Sequence, residues 1–391
     1  MKIAKKLTAT VLGLTFCAGM ANAGVISNWN TANVTTDAGP YAVEELYQST
    51  LFTDSSKTDS NGFIGWEESD VQAPGMKVVT DDVTGSSCIM TSGYNPELGV
   101  DVTKQCEDGL KSSKRFKLKG TVSGAPMDII FDVADGADTA YKVLHKLSDY
   151  VDSEDWAGFT LQLGFTVDGQ FVSSTANDGL GFSDSNGNVF LGTVSSNDIK
   201  AEVLSGYFSQ GLAGPIDKWH PESGYFDTTT RMGYELTATE DSIVTGATIG
   251  KYEELFGPWN TIYDIPTAIL WDDDSDPSTD DLLMANCAGT FNETDNTCVD
   301  AAGENAWVTY RTLPILVDGV ASASDGVAKP VTQAVVETWL TTTDDNGNLA
   351  YHTDPIEDLA NLGLTYWLTI GDTSGWPVQS FTMRFIPIAV Q

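Results

Sequence analysis

The sequence predicts an all-β protein, a jelly-roll-like or two-sheet antiparallel β-sandwich with long loops and at most short helices. Short stretches alternate apolar and polar residues, as strands with one buried face do. Asn-Gly and Asp-Gly pairs, which favour tight turns, recur along the chain. No long stretch shows a helical period, and 41% hydrophobic residues can build a core.

The first 23 residues have the features of an export signal. A basic start is followed by an apolar run and a small-residue cleavage motif at Ala21-Asn22-Ala23. The run is too short to span a membrane, so we expect no span in the mature chain. Cys17 permits a lipoprotein interpretation, but the Phe before it stands where that processing needs a small residue. We expect cleavage after Ala23, a single domain over residues 24–391, and a location outside the cell or on its surface, with the periplasm as an alternative.

Acidic residues dominate the charge of the chain. Asp and Glu number 55 against 20 Lys and Arg, which gives a net charge of −35. This balance repels nucleic acids and anionic membrane surfaces, so we expect neither as a partner. It can attract divalent cations, but adaptation to a salty environment is the preferred explanation of the acidic composition.

Four cysteines follow the signal segment, and they form two close pairs, Cys88 with Cys106 and Cys287 with Cys298. An even number in an exported protein predicts disulfides, and pairing between neighbours closes the shortest loops. A four-cysteine zinc site is the alternative. It would need closer spacing within each pair.

A basic stripe lies ahead of the strongest strand pattern. It consists of Lys111, Lys114, Arg115, Lys117 and Lys119. The stripe alternates as a strand, and we interpret it as structural, by ion pairing or by protecting a sheet edge, rather than as a polyanion site. Its predicted partner is Met127–Val133, across a turn at Ser123-Gly124.

The densest alternation in the chain runs from Ala140 to Val172. It reads as one hairpin, with an acid-rich, turn-like segment in the middle and a tight turn at Asp168-Gly169. This hairpin is the predicted centre of the sandwich.

An acidic run is the best candidate for a metal site. Asp272, Asp274 and Asp276 have the spacing of the first three ligands of a calcium loop. The residues that an EF-hand needs next are absent, so Asp280 or Asp281 would complete an irregular Ca²⁺ site. The alternative is a solvated acidic loop. The run opens a predicted disulfide-closed insertion at about 272–305. Two further Asp- and Asn-rich segments, at 184–188 and 344–348, are predicted to be hairpin turns.

Two predictions concern the C-terminal part. Ala321–Pro330 is small and polar, typical of a linker. Asp354–Gly363 has the signals of a short helix: an Asp cap, a Pro in the first turn and a terminal Gly.

Several blocks of the sequence, in chain order, are YKVLHKL, DWAGFTLQLGF, GYFDTTTRMGYELT, YEELFGPW, IPTAIL, EDLANLGLTYWLTIGD and FTMRF. They resemble the choice-of-anchor F family of bacterial exported proteins, over about residues 24–390. The resemblance implies an exported, surface-type β protein of unknown biochemical role. The C-terminal anchor for which the family is named is not evident in this sequence, which favours release or non-covalent association.

Catalytic motifs are sparse. Three histidines lie far apart, and the sequence has no zinc-protease, nucleophile-elbow or phosphate-loop motif. Sugars stack on exposed aromatic rings, and the candidates for that role are Trp219, Trp259, Trp271 and Trp376. We therefore expect a non-enzymatic structural, adhesion or matrix protein. The alternatives are a calcium-dependent module that binds extracellular glycans and a secreted glycan-acting hydrolase.

Overall fold

A computed structural model describes residues 23–37, 47–66, 74–81, 85–91, 106, 114–136, 139–152, 154–175, 177–195, 234–248, 251–272, 282–311, 324–356 and 359–390. Strands make up most of these residues. The described helices are short: α1 (Lys251–Phe256) and α2 (Gln333–Trp339). Neither of these two helices is long and apolar enough to cross a membrane. The all-β prediction is confirmed.

The first sheet contains eight strands. In spatial order seven of them are β1 (Ala23–Asn30), β8 (Met127–Gly136), β24 (Ser380–Ala389), β10 (Trp156–Val167), β15 (Ser242–Thr248), β14 (Tyr234–Ala238) and β13 (Val194–Ser195). The eighth, β11 (Gln170–Ser173), pairs with the end of β10. All pairings in this sheet are antiparallel.

The second sheet contains nine strands. Its main order is β12 (Leu180–Ser183), β23 (Asn361–Ile370), β9 (Thr139–Asp149), β7 (Phe116–Gly120), β4 (Ser60–Trp66), β3 (Tyr47–Phe52) and β2 (Val34–Asp37). Strand β6 (Ser86–Met90) also pairs with β9 and carries β5 (Lys77–Asp81). The pairings of β9 with β6 and with β7 are parallel. For β7 this follows from the chain order, because β8 returns through the first sheet before β9 begins.

The two sheets pack face to face and share one hydrophobic core. Inward residues alternate along each central strand, as the period of a half-buried strand requires. Contacts cross the interface directly: the His145 ring of β9 lies 5.2 Å from the Phe385 ring of β24, and the Tyr366 hydroxyl of β23 lies 3.9 Å from the Met383 sulfur. The predicted sandwich is therefore present.

A third sheet has five strands, in the order β21 (Ser324–Pro330), β20 (Trp307–Arg311), β17 (Leu282–Cys287), β16 (Thr267–Trp271) and β22 (Tyr351–Pro355). Beside it, β18 (Thr290–Asn292) and β19 (Thr297–Val299) form a two-stranded ribbon. The segment predicted as an insertion at 272–305 thus contributes β17 to this sheet. Residues 273–281 lie outside the described residues.

The predicted hairpin at Ala140–Val172 is wrong in its pairing. Both halves are strands, but β9 belongs to the second sheet and β10 to the first. Alternation of apolar and polar residues identifies the buried face of a strand, but it does not show with which other strand it pairs. The connection runs from 150 to 155, longer than the about two to five residues of most hairpin loops. The true hairpin is β10–β11, with Asp168 and Gly169 both at positive φ (50° and 78°), as a type I′ turn requires.

The predicted pairing of the basic stripe with Met127–Val133 is wrong for the same reason. Strand β7 pairs with β4 and β9, whereas β8 lies in the opposite sheet. Successive strands from β7 to β10 therefore alternate between the two sheets. Each connection crosses an end of the sandwich.

The C-terminal part differs from its expected local structure. Residues 324–330 belong to the linker candidate Ala321–Pro330, at which no domain boundary is predicted, and they form β21 at an edge of the third sheet. Asp354 and Pro355, predicted to start a helix, end β22 and pair with β16. Strand β22 forms the opposite edge of this sheet. Proline is tolerated in an edge strand because its missing N–H can face away from the neighbouring strand. Sheet pairing has overridden local capping signals.

The predicted disulfides are confirmed, with neighbour pairing. Cys88–Cys106 and Cys287–Cys298 are bonded, and all four residues are buried. The first bond ties β6 to the segment that follows it. The second ties β17 to β19.

The Asp- and Asn-rich segments at 184–188 and 344–348 are hairpin turns, as predicted. In each, the first Asp side chain accepts hydrogen bonds from the backbone N–H groups two and four residues later, at 2.8–2.9 Å. Asp300 organises a third turn of this kind with Ala302 and Glu304. The aspartates act as turn caps here.

Candidate functional site

The connection between β9 and β10 is an arch that crosses one end of the sandwich. Asp149 is the last residue of β9, and Trp156 is the first residue of β10. The arch between them reads Tyr-Val-Asp-Ser-Glu-Asp. Asp152 and Glu154 are exposed, and Asp155 is half-buried beside the buried Asp149.

A loop that is distant in sequence, residues 259–264, packs against this arch. Trp259 and Trp156 exchange two backbone hydrogen bonds of 3.0 Å. The Ile262 N–H donates to the Asp149 carbonyl at 2.9 Å, and the Asp149 N–H donates to the Ala360 carbonyl at 3.0 Å. Three segments distant in sequence are thereby fixed around Asp149.

The Asp149 carboxyl is buried without a counter-ion in its described surroundings. The residue is 1% exposed, its Oδ1 accepts from the Val151 N–H at 2.9 Å, and its Oδ2 has no hydrogen-bond partner. Burial raises the pKa of this carboxyl to about 8, and the charges of Asp155 and Glu154 act in the same direction. At neutral pH the group is therefore mostly a neutral acid.

Asp155 and Thr261 lie at the same place. The Thr261 N–H donates to Asp155 Oδ1 at 3.1 Å, while the Thr261 hydroxyl is buried with no hydrogen-bond partner. Burial raises the pKa of Asp155, and the nearby Asp264 charge adds to this effect. We name the set Asp149, Glu154, Asp155, Thr261 and Asp264 the acidic junction.

Aromatic rings border the acidic junction. The Tyr150 ring contacts Phe63 and Tyr263 edge to face, with centroids 5.7 and 6.2 Å away. Lys119 contacts the Tyr150 hydroxyl and ring. Tyr263 is 53% exposed, and it is the one aromatic residue among the exposed large hydrophobic side chains of the described chain.

The chemistry available at the acidic junction is that of oxygen ligands. Asp149 Oδ2 is closed to solvent, so Asp149 and Asp155 do not form the open acid–base pair that a glycan-acting hydrolase needs. Among the described residues no group of three or more His, Cys, Asp and Glu side chains is arranged to hold a metal. A cation at this place would use at most two carboxylates together with other oxygens.

The predicted calcium ligands lie mostly beyond the described part of the chain. Asp272 is described, and its N–H donates to the Ala350 carbonyl at 3.2 Å. The remaining four, Asp274, Asp276, Asp280 and Asp281, lie outside the described residues. Calcium binding by this run stays a prediction.

The predicted sugar-stacking tryptophans are turned inward where the structure describes them. Trp259, Trp271 and Trp376 are 3%, 7% and 7% exposed and belong to the core. A sugar needs an exposed ring face, and these three side chains do not offer one. Trp219 lies outside the described residues.

The histidines do not form a common site. His145 is fully buried among the rings of Phe116, Tyr366 and Phe385, in agreement with a packing role. His352 lies in β22 of the third sheet, and His220 lies outside the described residues.

Four of the five residues of the basic stripe are described, and Lys111 lies outside the described residues. Lys114, Arg115 and Lys119 are at most 5% exposed, and they and Lys117 all make further interactions. This supports the structural interpretation of the stripe over a polyanion site.

The acidic junction is not predicted from the sequence. The acid-rich segment around Asp149 was visible, but a hairpin turn would have left its carboxyl groups in solvent. A cue was available in the length of the segment, which suits a connection between sheets better than a hairpin loop.

No family model matches the chain, and neither a curated protein nor a solved structure matches it. The resemblance to the choice-of-anchor F family therefore stays a prediction.

Proposed function

We propose that this chain is an exported, non-enzymatic structural or adhesion protein that works outside the cell or on its surface. The observation that carries the proposal is the pair of disulfides. All four cysteines are buried and bonded, and such bonds form and persist in oxidising compartments.

The distribution of side chains supports a scaffold. The described tryptophans that could have formed a binding platform fill the core instead, and the most buried histidine is enclosed by aromatic rings. The large excess of acidic residues suits a protein in a salt-containing medium, where salt screens their repulsion.

Fractionation of the source cells tests this proposal. We expect the tagged chain outside the cytoplasm with both disulfides oxidised, and we expect its deletion to weaken attachment or matrix cohesion. A cytoplasmic, reduced chain would contradict the location. Turnover of glycan or peptide substrates by the purified protein would contradict the non-enzymatic role.

A calcium-dependent glycan-binding module is the second candidate, and the exposure of Tyr263 favours it. This ring stands beside Asp264, so an exposed aromatic face and a carboxylate occur together at the acidic junction. A glycan array tests it: binding by the wild type should be lost in Tyr263→Ala and retained in Leu191→Ala, a change at another exposed apolar residue. Equal binding by both variants would remove Tyr263 from the site.

A further inference from the structure

Two buried oxygen atoms at the acidic junction are left without partners. Asp149 Oδ2 and Thr261 Oγ1 each make no hydrogen bond, and both residues are 1% exposed. Burying a polar atom without a partner costs free energy, so such atoms occur where something else satisfies them or where they serve a function.

The two atoms belong to residues that are tied to one another. Thr261 donates its N–H to Asp155, and the next residue, Ile262, donates its N–H to the Asp149 carbonyl. The backbone of residues 261–262 therefore contacts both acidic residues, and the Thr261 hydroxyl has no hydrogen-bond partner.

Other carboxylates stand close to both acids of the acidic junction. The negative charges of Asp155 and Glu154 act on Asp149, and that of Asp264 acts on Asp155. A divalent cation that replaces the proton on Asp149 would also neutralise the like charge of the neighbouring carboxylates.

We infer that the acidic junction binds a hard divalent cation, Ca²⁺ or Mg²⁺, through the carboxylates of Asp149 and Asp155 and the hydroxyl of Thr261. These cations take oxygen ligands and complete their shell with carbonyl groups and water when few carboxylates are present. The ion joins the end of β9, the start of β10 and the 259–264 loop. It locks the arch to the sandwich.

This site is separate from the acidic run at 272–281, and the inference does not depend on the proposed function. A structural, adhesive or glycan-binding chain could equally carry the ion. Binding is therefore measured on the purified protein, without reference to attachment or glycans.

The experiment is calorimetric titration of the purified oxidised chain with CaCl₂ and, separately, with MgCl₂. We expect one saturable site in the wild type, at least about tenfold weaker binding in Asp149→Asn, and weaker binding in Thr261→Val. The matched control is Asp168→Asn, which makes the same chemical change in an exposed type I′ turn that accepts Asn. It should bind as the wild type does.

Absence of saturable binding in the wild type would overturn the inference. So would unchanged binding in Asp149→Asn, or loss only in a variant with Asp272, Asp274 and Asp276 changed to Asn, which would move the site to the acidic run. If Asp149→Asn does not fold, Asp155→Asn replaces it, because Asp155 is partly exposed and its amide oxygen can still accept from Thr261. Unchanged binding in that variant would contradict the site equally.

Discussion

His145 shows at the scale of one residue how the core determines chemistry. Its ring stacks on Phe116 and meets Tyr366 and Phe385 edge to face, and neither ring nitrogen has a hydrogen-bond partner. Burial, together with a smaller effect of the positive charge of Arg115, lowers the pKa of His145 to about 3. The folded protein therefore holds a neutral imidazole in an aromatic layer.

Stability should fall on acidification because of His145. Between pH 6.5 and about 3 the unfolded chain binds a proton that the folded chain does not, so the free energy of unfolding decreases as pH falls through this window. Above pH 6.5 this contribution is absent. His145→Leu should remove it, and the variant should lose less stability than the wild type between pH 7 and about 4.5 in urea unfolding. An equal decrease in the free energy of unfolding with falling pH in both proteins would show that His145 does not take up a proton on unfolding.

Gly158 is required by backbone geometry. It has φ of 150°, lies at a register shift between β10 and β24, and a Cβ there would stand 2.2 Å from the Thr245 carbonyl oxygen. Gly158→Ala should destabilise the protein by at least about 2 kcal/mol in denaturant unfolding. Gly124→Ala is the control: it also has positive φ but open space around it, and should cost only about 1 kcal/mol. An equal loss of stability in the two variants would indicate that the neighbouring strand moves to make room for the added Cβ.

At the scale of elements, the sequence identifies strands better than their partners. The alternation in β9 and β10 correctly places both as central strands and identifies the face that each turns toward the core between the sheets. It cannot show that they lie in opposite sheets, because pairing depends on contacts between residues distant in the chain. The acidic junction was missed for that reason: Asp149 is buried only because the chain crosses between the sheets at this point. The helix predicted from the capping signals at Asp354 is wrong for a similar reason, because Asp354 pairs with the distant strand β16 instead.

The disulfide between Cys88 and Cys106 should stabilise the second sheet. It closes a loop with a sequence separation of 18 and lies in a small cluster with Val79, Met90 and Leu144. Replacing both cysteines by Ala should lower the free energy of unfolding by about 3 kcal/mol, since the unfolded chain regains loop entropy. The double replacement of Cys287 and Cys298 should have a comparable or slightly smaller effect, because its loop is shorter. A loss below about 1 kcal/mol in both would show that the bonds are not needed for stability.

The whole molecule is a disulfide-bonded sandwich with a third sheet attached to its core and a large excess of negative charge. That excess makes the chain sensitive to ionic strength, since salt screens the repulsion between its carboxylates. A specific cation effect must therefore be measured at constant ionic strength. The acidic junction is the part of the described molecule where such an effect should concentrate.

Thermal unfolding of the oxidised chain with and without CaCl₂, at ionic strength matched with NaCl, tests the cation site at the acidic junction. A cation bound only by the folded state should raise Tm progressively with concentration. We expect this rise in the wild type and in Asp168→Asn, and we expect its loss in Asp149→Asn. A wild-type Tm that does not respond to CaCl₂, or an equal rise in Asp149→Asn, would contradict a cation site at the acidic junction.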